Sequence, residues 1–141
     1  MRFPRPMIGV AGIAFDAECR VLLVKGDDRG WSVPGGRLEP DERLVDACVR
    51  ELREETGLEV RVAGLAEVFE RIEPDMHYVI LDYLVEVVGG TLQAGDDALE
   101  VGWFSLAEVA TMKTTRGLLD VLERALASAR AAGLAPPPGE G

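Results

Sequence analysis

Between Asp41 and Gly57 the chain carries the pattern that most narrows what it can fold into. Val45, Cys48 and Leu52 recur at helical spacing, and Gly57 stands where a helix closes on a left-handed residue, so a helix is predicted over 41–56. An apolar stripe of this kind must be covered by another layer. At about 100° per residue, Glu51, Glu54 and Glu55 fall on one arc beside the stripe, so carboxylates crowd one flank while the neighbouring flank enters a core. That crowding is costly. Two like charges about 4 Å apart at an effective dielectric of about 20 repel by roughly 4 kcal/mol, and these glutamates lie towards the negative end of the helix dipole. Arg50 and Arg53 offset part of the repulsion. A hard divalent cation would offset more, because all-oxygen ligands suit Mg²⁺ or Mn²⁺.

The rest of the sequence supplies strands to cover that helix. Residues 7–15 and 20–25 read as a hairpin, 31–34 as a short strand, and 58–62, 64–72, 77–88, 91–93 and 99–105 as further strand-like runs. Ser105 with Glu108 three residues on is a capping box opening a short helix. Leu118, Leu119, Leu122 and Leu126 mark a closing helix within 115–132. Strands interleaved with helices make an α/β protein, read as one domain over 1–132 followed by a flexible Pro/Gly-rich tail at 133–141.

Charge narrows the class of partner. With 15 Lys+Arg against 25 Asp+Glu in 141 residues, the net charge is −10, which speaks against long nucleic acid as the main partner. A phosphate-bearing ligand would then need cations from elsewhere. The excess is uneven, with −3 over residues 36–58 and −9 over residues 64–112. No run approaches the roughly 20 apolar residues of a bilayer span, and residues 1–6 do not read as a signal peptide. The expected setting is therefore cytoplasmic, with no membrane partner. Cys19 and Cys48 lack metal-ligand spacing and read as small buried side chains.

Residues 36–58 also carry a longer pattern. Gly36 is followed at fixed intervals by Glu42, Arg50-Glu51-Leu52, Glu54-Glu55 and Gly57-Leu58. An Arg-laced glutamate helix can be an ordinary solvated face. Seven fixed residue types plus two apolar positions, however, coincide by chance on the order of once in ten million chains of this size. The pattern resembles the Nudix box, every fixed position of which is occupied here. Trp31 to Gly36 is similar to the lead-in that precedes the box, and Glu100 to Ser105 to the family's late E-x-x-W segment.

The resemblance implies an α/β Nudix fold, an α/β/α sandwich with a mixed β-sheet. It further implies Mg²⁺- or Mn²⁺-dependent hydrolysis of the diphosphate linkage in a nucleoside diphosphate derivative. Carried over residue by residue, Glu51, Glu54 and Glu55 would be metal ligands with the Gly35 carbonyl. Arg50 would orient the glutamates, and Glu42 would support the loop or the outer metal shell. Glu54 or Glu55, with Glu100 as second choice, would be the general base. Arg37, His77, Tyr83 and Asp97 are substrate-side candidates. Trp31, Tyr78, Tyr83, Trp103 and Phe104 could stack a base, and one of the adjacent pair Trp103/Phe104 should face the core. The run His77 to Tyr83 with Gly89-Gly90 and Gly95 to Ala98 resembles ADP-ribose pyrophosphatase-like members, which places ADP-ribose ahead of a nucleotide-pool (d)NTP pyrophosphohydrolase. A non-catalytic nucleotide-binding regulatory module is the alternative of a different class. The apolar strands leave room for a homodimer.

Overall fold

The computed structural model describes residues 5–27, 29–95, 98 and 100–139. In chain order the elements are β1 (Met7–Ile13), β2 (Val21–Asp27), β3 (Gly30–Ser32), β4 (Gly35–Arg37), α1 (Leu44–Thr56), β5 (Leu58–Glu73), β6 (Met76–Gly90), β7 (Glu100–Phe104), α2 (Leu106–Val109) and α3 (Leu118–Ala131). Four strands form a mixed sheet in the order β4-β1-β6-β5, in which β1 runs parallel to β6 and the other pairs are antiparallel. The remaining three form an antiparallel sheet in the order β3-β2-β7.

Strand alternation separates two cores. Val10 and Leu22 pack with Ala47, Cys48 and Leu52 of α1, whereas Ile13, Val21, Leu23 and Leu84 pack with Leu118, Val121, Leu122 and Ala125 of α3. Helices thus cover opposite faces of the strands, the α/β/α sandwich with a mixed sheet that the sequence implied.

Five local readings change. The runs 7–15 and 20–25 form no two-stranded hairpin: β1 pairs with β4 and β6, β2 with β3 and β7, and the two meet at the Phe15–Val21 bridge. The helix begins at Leu44 and not at Asp41, because Asp41 adopts φ 62°, a left-handed conformation outside the helical range. Val45 is exposed, and the buried stripe runs through Ala47, Cys48, Leu52 and Thr56. The runs 58–62 and 64–72 are one long strand whose register shifts at three places opposite β6, so a bulge and not a loop separates them. Residues 91–93 form no strand, yet the Gln93 amide donates to the Thr56 carbonyl at the helix end. Gly57 closes α1 at φ 76°, and its amide donates to the Arg53 carbonyl. The Ser105 and Glu108 capping box opens α2.

In the segment expected as a tail, the Leu134 amide donates to Ala129, and the Pro136 carbonyl accepts from Arg130 Nε at 2.8 Å. Leu134 and Ala135 pack on the α3 side. Among the described residues, no helix is long and apolar enough to cross a membrane.

Candidate active site

Arg50 organises the acidic flank of α1. Its guanidinium grips Glu42 through Nε at 2.7 Å and Nη2 at 3.0 Å, and reaches Glu51 at 2.8 Å and Glu54 at 3.1 Å through Nη1. Nη2 also donates to the Arg37 carbonyl at 3.1 Å, tying the helix to the end of β4. Glu39 lies 3.7 Å away. Four carboxylates therefore surround one cation.

The surroundings set their protonation. The hydrogen bond from Arg50 holds Glu42 below the usual carboxylate range, while the same carboxylate raises the Arg50 guanidinium. Burial pushes Glu51 up against the opposing pull of Arg50. Gly36 lies against the Glu51 carboxylate, and any Cβ at position 36 would collide with it. Close approach here requires glycine.

Glu55 points another way. Its Oε2 accepts from the Gly35 amide at 3.3 Å and lines a cleft of about 490 Å³. The cleft is walled by both sheets and by residues 115–121. Arg29, Arg37, Arg71 and Arg116 line it, as do Phe69, Tyr78, Ile80 and Asp82. Arg37 Nη2 donates to the Tyr78 hydroxyl at 3.3 Å.

The structure thus brings Glu51, Glu54 and Arg50 together and places Glu55, Gly35 and Arg37 on the adjoining cleft. It leaves the other candidates apart. Tyr83 is corrected: it is buried among the α1-side core residues and offers no face to a ligand. His77 bonds Glu70 at 2.9 Å near the tip of the β5–β6 hairpin and does not line the cleft. Glu100 pairs with Lys25 at 3.6 Å at the start of β7. Asp97, with Asp96, lies outside the described residues. Trp31 and Phe104 meet edge to face with centroids 4.8 Å apart on the α3 side, and Trp103 packs on the α1 side.

Sequence reasoning missed Phe69, Arg29, Arg71, Arg116 and Asp82. The signal for the last was present: Tyr78, Ile80, Asp82 and Leu84 share one face of a strand, and an acid among apolar residues on an inward face asks for an explanation.

The sequence model of the NUDIX domain matches residues 5–124. The chain belongs to the NUDIX family. It is 36% identical over 107 residues to an ADP-ribose pyrophosphatase of Methanocaldococcus jannaschii, covering 72% of this chain and 63% of that protein. It is 31% identical over 122 residues to the mouse 8-oxo-dGDP phosphatase NUDT18, covering 81% of this chain and 37% of that protein. This NUDIX chain therefore spans less than two thirds of the length of either relative. The NUDIX domain of Shewanella oneidensis NrtR, solved in complex with ADP ribose, superimposes with a TM-score of 0.74 at 22% identity, covering 92% of this chain and 90% of that one.

Whether the residues suit a metal ion can be judged from their chemistry. Among the described residues no three His, Cys, Asp or Glu side chains are gathered closely enough to hold one, since the glutamates turn towards Arg50 and Gly35. The donor set nevertheless fits a hard cation. It is all oxygen, and the single Arg50 charge leaves the surrounding carboxylates in excess.

Proposed function

We propose that this NUDIX protein hydrolyses the diphosphate linkage of a nucleoside diphosphate derivative of the ADP-ribose kind. The observation that carries this reading is a meeting of opposite charges. Glu55, from the acidic helix, lines the same cleft as Arg29, Arg37, Arg71 and Arg116, in a chain of net charge −10. Arginines are suited to phosphate and carboxylate ligands, so the cleft favours an anion despite the overall acidity.

Glu51, Glu54 and Glu55, with the Gly35 carbonyl, would hold Mg²⁺ or Mn²⁺, and the bound ion would lower the pKa of the attacking water and neutralise charge on the diphosphate. The protein's own part is positioning. Arg50 fixes Glu51 and Glu54 from one side, and the Gly35 amide fixes Glu55 from the other. Glu55 is the carboxylate that faces the cleft, and it takes the proton of the attacking water. Neither Glu54 nor Glu100 is among the residues that line the cleft.

The names of the relatives support the substrate class, since one is an ADP-ribose pyrophosphatase and another NUDIX domain was solved with ADP ribose. The mouse relative's name supports a second reading, a nucleotide hydrolase acting on oxidised purine nucleotides. The test is a panel of ADP-ribose, 8-oxo-dGDP and the dNTPs with Mg²⁺, with Mn²⁺ and with chelator. The expected result is metal-dependent release of AMP from ADP-ribose, with kcat lowered by about 10²–10⁴ in Glu55→Gln. Turnover that persists in chelator and in that variant would overturn the mechanism. Cleavage of 8-oxo-dGDP alone would select the second reading.

A further inference from the structure

Asp82 is a buried acid that the hydrolytic reading does not use. Only 4% of the residue is exposed, yet it lines the cleft. Among the described residues no hydrogen bond or ion pair reaches its carboxyl, and Glu67, opposite it in the sheet and paired with Arg124, acts on it repulsively. No buried side-chain oxygen or nitrogen among them is sealed off without a partner, so the open side of this carboxyl is the cleft itself. A polar group placed like this costs stability unless something bonds to it. A ligand is what the cleft can supply.

The sheet register fixes where that ligand group would lie. Asp82 pairs with Glu67 on one side and with Ala11 on the other, and Ala11 pairs with Gly35. One rung of the mixed sheet therefore runs from Asp82 to Gly35, whose amide holds Glu55. Two strand spacings separate them, about 10 Å, which is the scale of a nucleoside from its 5′ end to the far edge of its base. Two residues along, on the next rung that faces the same way, Phe69, Ile80 and Gly9 are in register with Arg37 at the edge, giving an apolar floor on which a base could lie. The mouth beyond carries Arg71 and Tyr78, whose hydroxyl accepts from Arg37.

We propose that Asp82 is a specificity-determining residue that accepts a hydrogen bond from the exocyclic amino group of a purine base. Ribose hydroxyls also donate, but they lie between the 5′ end and the base, short of the Asp82 end of the rung that starts at Gly35. Adenine and guanine each carry an exocyclic amine, and hypoxanthine carries none. Burial, reinforced by Glu67, pushes the Asp82 carboxyl up to about 7, so around neutral pH it offers at least one acceptor oxygen in either protonation state. The inference rests on the cleft being the nucleoside site, and it deepens the proposed function without depending on hydrolysis.

The test is calorimetric binding of AMP, GMP and IMP to the wild type, Asp82→Ala and Asp82→Asn. Loss of the exocyclic amine, which leaves hypoxanthine only the ring N1–H on its pairing edge, should weaken IMP by about 10-fold against AMP or GMP on the wild type. Which of the two amines is preferred identifies the base. That ratio should fall to within about 3-fold in Asp82→Ala and be retained at least in part by Asp82→Asn, whose amide keeps an acceptor oxygen. Both variants should unfold no earlier than the wild type, which separates lost recognition from lost folding. Equal affinity for the three nucleotides, absence of binding by all three, or an unchanged ratio in Asp82→Ala overturns the inference. If ADP-ribose is not hydrolysed but the nucleotide ratios behave as stated, the hydrolytic reading fails and the base contact stands.

Discussion

Glu51 and Asp82 are both carboxylic acids that burial pushes upward, the first packed against Gly36 and the second lining the cleft. Glu51 has a cation bonded to it at 2.8 Å. Asp82 has no bonded partner among the described residues and faces a repulsive glutamate. The same chemical group is thus prepared for two tasks. With Arg50 beside it, Glu51 has a cation opposing the rise that burial imposes, and its carboxyl is placed to meet a positive charge. Without such a neighbour, Asp82 resists ionisation and is suited to a neutral hydrogen-bonding partner.

The largest effect that would sharpen this contrast is kinetic. Glu51→Gln should lower kcat for ADP-ribose by about 10²–10⁴, because a positioned anion is removed from the reaction centre. Asp82→Asn should change kcat less than about 3-fold and act mainly on KM, as loss of uniform binding does. Steady-state kinetics on both variants checks this. A fall in kcat of similar size in the two would break the contrast and place both acids in one role.

The next effect is on stability, and its sign follows from proton counting. Between about pH 4 and pH 7 the unfolded chain has released the Asp82 proton while the folded chain still holds it, so the unfolded state binds fewer protons. Stability therefore falls as pH rises through that window and levels off above 7. Asp82→Asn removes this loss. Relative to the wild type it should gain up to about 4 kcal/mol between pH 4 and pH 8, read from urea midpoints across the range. A wild-type to variant difference independent of pH would show that Asp82 ionises freely in the folded protein.

Much of one side of the contrast was legible in the sequence, and little of the other. The glutamate helix is local: Arg50, Glu51, Glu54 and Glu55 lie within two turns, so spacing alone puts them on one flank, and Gly57 marks the end. Even there, the turning of Glu55 towards the Gly35 amide depends on β4, which only folding brings alongside. Asp82 acquires its meaning from Ala11, its parallel partner in β1, some seventy residues earlier. Parallel pairing leaves no turn signal between the strands to announce it. The same reason hid the cleft arginines, which come from β4, β5 and two separate turns. Tyr83 was misplaced because alternation gives two faces but does not say which is the core; here the α1 face took Tyr83, and the cleft took Tyr78 and Asp82.

A smaller effect tests the cation on the Glu51 side. Arg50→Ala would strand Glu42, Glu51 and Glu54 around an empty centre, with Glu51 half-buried. Loss of charge-assisted hydrogen bonds of this kind should cost about 2 kcal/mol. Because the destabilisation comes from carboxylates left ionised without a partner, it should shrink as the pH is lowered towards 4 and the carboxyls protonate. Thermal unfolding of the variant at pH 4.5 and pH 7.5 measures both. A loss equal at the two pH values would mean that Arg50 acts by packing.

The smallest effect concerns how tightly that anion is held. Gly36 is packed against the Glu51 carboxylate so closely that a methyl group cannot be added without moving it. The opposing atoms are the end of a side chain and not backbone, so the fold can yield by rotating Glu51 away from Arg50. Gly36→Ala should therefore cost only about 1 kcal/mol in stability, but the displaced carboxylate should still lower kcat by about 10-fold, as small misplacements at a reaction centre do. The disproportion is the informative result. If stability falls and kcat does not, the exact position of Glu51 is immaterial to the chemistry, and its pairing with Arg50 serves the fold alone.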